Sequence, residues 1–418
     1  MPLGRQSIDE LEERLADPSF QADPHATYHL LRKRAPVYWS DRRNYWLVTS
    51  MDLVSHVLGT PDDFSSVGFE SRKIAQLNPD VANAAGRVDE HFTTLQLVSS
   101  DPPDHTRIRR AFGSQFLPRK VKPLEGMIRD AANRLLDNAS PDQPDIVSDY
   151  AEPLPVEVIS EIIGIPRETR NRIPVVTLDQ RAFFGSPSLN IGHAERFSST
   201  LEEWHDLLSA WMMERRSFPK DDVLTKAAEM VDEGRITNDE AVTTILHLVI
   251  AGNGTTTALI SNAVYHILSH PAQARLLADE PHRIPNAVEE VLRFEAPLPT
   301  DRRIATRTLT LGDQTISKGD LVMSGLAAAN RDPDHFPDPD AFDVTRTFGT
   351  SHQLAFGWGI HLCLGAPVAR LEASIALQVL FERFGVAQLL DGFEPNWHAI
   401  TTHRGLRTLP IKPERIQR

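Results

Sequence analysis

The chain runs to 418 residues, enough to bury a large core as one integrated domain or as two or three smaller ones. Its 41% hydrophobic and 24% charged residues suit a soluble globular protein, and a net charge of −13 excludes the broad basic surface of a nucleic-acid binder. One cysteine cannot close an internal disulfide, so nothing calls for an oxidising compartment.

In chain order, the opening MPLGRQSIDELEERLADPSF has no apolar signal-peptide core and no bilayer-spanning run, which predicts a cytoplasmic protein without membrane contact. Residues 1–24 read as an extension packed on a single domain over 25–418. VYW at 37–39 and YWLV at 45–48 flank DRRN and predict a small hairpin. Helical spacing dominates from about 118 to 295 and again after 364. Thr237 and Glu240 stand at the capping-box spacing ahead of a long helix through VTTILHLVIAGNGTTTALISNAVYHIL. His247, Asn253, two glycines and several threonines interrupt that apolar stretch, so it reads as a buried helix of a soluble protein. A second helix follows Pro285, with Ala287, Val288, Val291 and Leu292 as its apolar side. LTL at 309–311, QTI at 314–316 and LVM at 321–323 predict short strands. Pro333, Pro337 and Pro339 make PDHFPDPDAFD a loop. A third helix is expected just after Cys363, with Leu364, Val368, Leu371, Ile375 and Val379 recurring at close to 3.6 residues and Pro367 in its first turn. The expected fold class is mainly α with a small β-rich part.

Cys363 sits in FGWGIHLCLG, crowded by Gly357, Gly359 and Gly365. A thiol at a helix N-terminus faces unsatisfied N–H groups and the positive end of the helix dipole, and both favour the thiolate, which is a metal ligand. The alternative is a buried cysteine acting as a small hydrophobe. Zinc fits poorly, because there is no second cysteine and His352 and His361 lack a third partner at regular spacing. An axial thiolate on haem iron needs no other protein ligand.

FGWGIHLCLG resembles the haem-binding loop of the cytochrome P450 family, F-G-x-G-x-H/R-x-C-x-G, at every fixed position. EVLR at 290–293 resembles the E-x-x-R helix of that family. AANRDP at 328–333, FDVTR at 342–346 and AGNGTT at 251–256 follow in the family's order, and the resemblance covers about residue 25 to the C-terminus. It implies a triangular, mainly helical fold carrying haem b (iron protoporphyrin IX), with Cys363 as axial thiolate in a loop shaped by Phe356, Gly357 and Gly365. It makes Glu290 and Arg293, three apart on one helix face, a structural pair joined by Arg346. DPPDHTRIRR at 101–110 resembles the propionate-binding helix, offering His105 and Arg109. DRRIAT at 301–306 resembles the strand that offers Arg303, and His361 is a fourth propionate candidate.

The helix carrying AGNGTT resembles the distal, oxygen-binding helix of the family. Ala251 and Gly252 leave room for dioxygen, and Thr255 matches the threonine that hydrogen-bonds oxygen and water. Gly254 departs from the family, since most relatives carry Asp or Glu there. Its missing side chain is expected to admit a water or a substrate group that relays protons, or else to accommodate a bulky substrate or a kink. His247, one turn before Ala251, is either a packed core histidine or a substrate anchor. Leu95, Val98, Pro299, Thr300, Ile400 and Thr402 are wall candidates by family register.

No G-x-G-x-x-G follows a strand, and one cysteine cannot hold an iron–sulfur cluster, so electrons are expected from a separate ferredoxin or flavodoxin with its reductase. RIRRAFGSQFLPRKVK at 107–122 holds six cations and no acid, a patch that serves such a partner, the haem, or only solvation. The leading expectation is a monomeric monooxygenase that uses O2 to hydroxylate or dealkylate a mainly apolar small molecule. The alternatives are a haem-thiolate enzyme using peroxide or catalysing an atypical coupling or rearrangement, and a non-catalytic haem ligand sensor.

Overall fold

The computed structural model describes residues 5–17, 19–185, 189–398 and 402–414. Helices relevant below are α1 (Arg5–Ala16), α2 (His25–Arg34), α3 (Met51–Gly59), α4 (Gly86–Thr93), α5 (Asp104–Gly113) and α6 (Glu125–Asn138). They continue with α7 (Pro153–Ile163), α8 (Ile173–Gly185), α9 (Ile191–Ser217), α10 (Val223–Asp232), α11 (Asn238–Ser269), α12 (Ile284–Phe294) and α13 (Ala366–Phe384). The strands are β1 (Val37–Ser40), β2 (Tyr45–Val48), β3 (Phe64–Ser65), β4 (Asp301–Ala305), β5 (Leu309–Leu311), β6 (Gln314–Ile316) and β7 (Leu321–Ser324). The chain folds as two compact units: Met1–Ser66, Ser261–Cys363 and Phe384–Arg418 form the first, Val67–Ile260 and Leu364–Arg383 the second.

The first unit is built on a five-stranded sheet of order β1-β2-β7-β4-β3. β1 and β2 pair antiparallel in the expected hairpin, with Val37 opposite Val48 and Trp39 opposite Trp46, and Asn44 turns the chain at φ 54°. Successive strand residues point to opposite faces. Val37, Val48 and Val322 therefore join Val54, Val57 and Leu58 of α3 on one side, while Tyr38 and Leu47 join Leu11, Leu15, Tyr28 and Leu31 of α1 and α2 on the other. β5 and β6 form a separate hairpin closed at Gly312, whose φ of +61° suits glycine.

The second unit is helical. The Thr237 hydroxyl accepts from the Glu240 N–H (3.1 Å) and the Glu240 carboxylate accepts from the Thr237 N–H (2.8 Å), so the long helix starts with a reciprocal capping box. α11 is apolar and long enough to cross a bilayer, but most of it is buried inside the protein as a core helix.

Short helices also occupy much of 69–93, including α4, where the polar sequence gives weak periodicity. The helix expected with Pro285 as a first-turn residue runs from Ile284 and has the proline in its first turn. Two expectations need correction, both on α13. α13 begins at Ala366, not directly after Cys363, because the Gly365 carbonyl accepts the first helical bond from Ala369 (3.0 Å). Cys363 thus stands three residues ahead of the helix. α13 is also buried nearly all round from Glu372 to Leu377, not along a single seam.

Candidate active site

In the first unit, the cysteine loop runs from Phe356 to Cys363. The Cys363 N–H donates to the Phe356 carbonyl (2.9 Å) and the Gly357 N–H to the Leu354 carbonyl (2.8 Å), folding the segment back on itself. Gly357 and Gly359 both have φ +72°. A Cβ at Gly359 would lie 2.6 Å from the Leu58 carbonyl oxygen, so only glycine lets the loop close onto the end of α3. The loop holds Cys363 exposed, beside Leu362 and Trp358 at 44% and 41% exposure. His361 and Phe356 are half-buried.

Arg303 lies on β4 at 4% exposure. Its Nη1 donates to Asp301 Oδ2 (2.9 Å) and to the Arg302 carbonyl (2.6 Å), while its buried Nη2 finds no hydrogen-bond partner among the described residues. Burial pushes the Asp301 carboxyl up, but Arg303 and Arg302 outweigh it and hold the group below its usual range. Such a buried guanidinium donor, aimed at nothing, is what an incoming anion would satisfy.

Also in the first unit, Arg293 Nε and Nη2 each lie 2.7 Å from the Glu290 carboxylate, with both residues fully buried. Arg346 Nε closes on the same carboxylate at 3.1 and 3.2 Å. The three residues form one connected group. Pro299 is buried, Thr300 half-buried and Thr402 exposed, whereas Ile400 lies outside the described residues.

In the second unit, His105 is buried on α5 and Arg109, one turn on, is half-buried. Leu95 and Val98 are half-buried. Over 241–260 of α11, residual exposure falls on His247, Ala251, Gly252, Thr255 and Thr257. His247, Ala251 and Thr255 stand four apart. The spacing of four traces one open strip along the helix. The Thr255 hydroxyl donates to the Ala251 carbonyl (2.7 Å). A Cβ at Gly252 would lie 3.1 Å from Ile159 Cδ1, so the small residue there serves close packing of α11 on α7.

Two features escaped the sequence reading. His91 Nδ1 and His205 Nε2 lie 3.1 Å apart, and His247 adds its field at His91. Burial, then the two neighbouring histidines, pushes His91 down to about 3, and burial brings His205 down to about 4, so both are neutral at pH 7. The second is Arg181. A Cβ at Gly254 would stand 2.7 Å from Arg181 Cζ, and closer still to Nη2. The space expected to hold a relay water is filled by a guanidinium.

The family profile for Cytochrome P450 matches residues 192–404. The 6-deoxyerythronolide B hydroxylase of Saccharopolyspora erythraea is 33% identical over 95% of this chain and 98% of its own. The vitamin D(3) 25-hydroxylase of Pseudonocardia autotrophica is 38% identical over 76% of this chain and 78% of its own. Among solved structures, CYP109E1 from Bacillus megaterium in complex with testosterone aligns with a TM-score of 0.83 and 30% identity, over 94% of this chain and 99% of that one. The helical fold with small sheets and the exposed cysteine on a glycine-bound loop agree with these proteins, whose family implies haem held by a cysteine thiolate. The chain belongs to the cytochrome P450 family and is a monooxygenase, an oxidoreductase. The residues present fit the haem that the family implies, since Cys363, Leu362 and Trp358 offer a thiol in an exposed apolar rim and Arg303 offers a buried, unmatched donor.

Proposed function

We propose that this P450 hydroxylates or dealkylates a mainly apolar small organic molecule, using O2 and electrons from a separate ferredoxin or flavodoxin with its reductase. The observation that carries the reading is Cys363, exposed on a loop that only glycine at 359 allows. Cys363 would ligate haem b, with Phe356, Gly357 and Gly365 shaping the loop and His105, Arg109, Arg303 and His361 holding the propionates. When bound, the group supplies oxygen activation, favoured by thiolate electron donation.

The chain's own part is to bind, orient and manage protons. The strip from His247 through Ala251 to Thr255 offers an open face with the imidazole as its polar handle, while Gly252 beside it lets α7 pack close. The Thr255 proton is engaged with the Ala251 carbonyl, so Oγ1 presents lone pairs and accepts a hydrogen bond from water. Leu95, Val98, Pro299, Thr300, Ile400 and Thr402 are assigned to the substrate wall. The relatives named as hydroxylases of 6-deoxyerythronolide B and of vitamin D(3), and the neighbour bound to testosterone, support a bulky apolar substrate. Glu290, Arg293 and Arg346 are assigned to folding and haem incorporation.

Of the six cations at 107–122, Arg107 is tied to Glu240 (2.6 Å) and Asp104 (2.9 Å), and Lys120 to Asp221 (2.8 Å). Arg110, Arg119 and Lys122 are exposed and support electrostatic docking of an acidic electron donor. The same reading makes the enzyme a cytoplasmic monomer in which 25–418 form one haem domain, with Leu11 and Leu15 of the extension buried against it. Turnover of a compound selected by haem spectral shift, with surrogate ferredoxin, reductase and NAD(P)H, tests this. Oxygenated product supports it, whereas product only with added peroxide favours the peroxide-using alternative.

A further inference from the structure

α8 packs on α11 through Thr177 and Arg181, which lie one turn apart. The Thr177 hydroxyl donates to the Ile173 carbonyl (2.9 Å) and accepts from Asn253 Nδ2 (3.3 Å). Asn253 Oδ1 is buried and has no partner among the described residues. One turn further, the Arg181 guanidinium covers Gly254, with Nε 3.3 Å and Cζ 2.7 Å from where a Cβ would stand. Any other residue at 254 would displace it.

Arg181 makes no hydrogen bond or ion pair to a described residue, although its side chain is only half-exposed. Burial lowers its hold on the proton, and the carboxylate whose field opposes this is Glu152, which makes no bond to it. A guanidinium carries five donors, and one that is half-buried beside no counter-charge offers them to an incoming acceptor. By contrast, the fully buried Arg293 holds Glu290 and the buried Arg215 holds Asp222, each at 2.7 Å. Gly254 is also the position where the family resemblance places an acid. The substitution thus removes a carboxylate and leaves room for a cation next to Thr255.

Resting on the monooxygenase reading, we propose that Arg181 is an anion-binding residue whose partner is a carboxylate carried by the substrate. Two parallel N–H···O bonds to a carboxylate match the planar guanidinium fork. They would fix an acid group one residue from the open strip at Thr255, while the apolar body of the molecule extends along that strip. The substrate class is then an amphipathic carboxylic acid, not a neutral molecule.

The test uses the haem-loaded enzyme and titrates straight-chain and arylalkyl carboxylic acids against their own methyl esters, read by haem spectral shift. Wild type is expected to bind an acid of the panel about 10-fold to 100-fold tighter than its ester. In Arg181→Gln that preference falls to within about threefold, and Arg181→Lys recovers part of it. Gly254→Asp supplies an internal carboxylate to Arg181 and should also abolish the preference, by a route that keeps the arginine. The proposal is overturned if wild type shows no preference for any acid, including no acid binding while imidazole still shifts the haem spectrum. It is equally overturned if both Arg181→Gln and Gly254→Asp retain the preference. Failure of the haem reading itself would appear separately, as a wild-type protein without the thiolate-type band of the reduced carbon monoxide complex.

Discussion

Arg293→Ala should cost most of the stability of this protein. Arg293 is fully buried and gives five hydrogen bonds: two to the Glu290 carboxylate at 2.7 Å, and one each to the carbonyls of Asn330 (3.2 Å), Pro339 (2.7 Å) and Ala341 (3.0 Å). Alanine leaves Glu290 buried with the Arg346 guanidinium and the Asp343 N–H, and strips the donor from the Asn330 and Pro339 carbonyls, while the Ala341 carbonyl keeps Arg346 Nη2 (3.0 Å). Breaking a buried pair from one side costs about 3–5 kcal/mol. Each of the two stranded carbonyls adds about 1 kcal/mol. The combined loss, about 5–7 kcal/mol, rivals the whole margin of about 5–15 kcal/mol of a typical domain. The assay is urea unfolding followed by far-UV circular dichroism, with soluble yield as a second readout. Arg293→Lys keeps the charge, but one ammonium cannot span the carboxylate and three carbonyls, so it should lose roughly half as much. An Arg293→Ala protein that unfolds within about 2 kcal/mol of wild type would refute the reasoning.

Glu372 is buried on α13, and burial alone raises its carboxyl well above the usual range. A raised folded pKa means the folded protein holds this proton more tightly than the unfolded chain does, a penalty at neutral pH that fades as pH falls below about 4.5. Glu372→Gln should therefore raise the melting temperature at about pH 7 and change it little at about pH 4.5. Glu295 behaves oppositely: burial pushes it up, but Arg404, His25 and His266 outweigh this and hold it well below the usual range. Burial also keeps His25 and His266 below 6.5. All three folded values are depressed, so stability falls as pH drops below about 6.5, where the fold resists charging the histidines, and again below about 4.5, where Glu295 takes up its proton; melting temperature against pH should show both falls, and the one below about 4.5 should be absent from Glu295→Gln. Thr255→Ala should divert reducing equivalents from product to hydrogen peroxide, and fully coupled turnover in that variant would remove Thr255 from oxygen handling.

Local signals in the sequence were sufficient where the determinants lie close together. The 37–48 hairpin, the Thr237–Glu240 box and the Glu290–Arg293 pair each depend on residues within a few positions of one another. The glycines of FGWGIHLCLG likewise announce a loop needing φ > 0. What the sequence hid depends on partners far along the chain. Gly254 reads as a gap, and only the fold shows that Arg181 of another helix fills it. His91 and His205 are separated by 114 positions and carry no shared motif. The start of α13 was misplaced because Leu364 fits the apolar period, while the Gly365 carbonyl, not Cys363, opens the helix. The loop thiol is therefore exposed on its own turn and not seated in the first turn of a helix, which moves the case for a thiolate from the helix dipole to ligation by iron.

The most direct test of that claim is the difference spectrum of the reduced carbon monoxide complex in wild type and Cys363→Ser. The wild-type protein should show the thiolate-type band. The variant should lose it while keeping a folded far-UV spectrum, since Cys363 contributes its backbone N–H, not its sulfur, to the loop bond with Phe356. Survival of the band in Cys363→Ser would contradict the assignment of Cys363 as the axial ligand, and with it the account of this site.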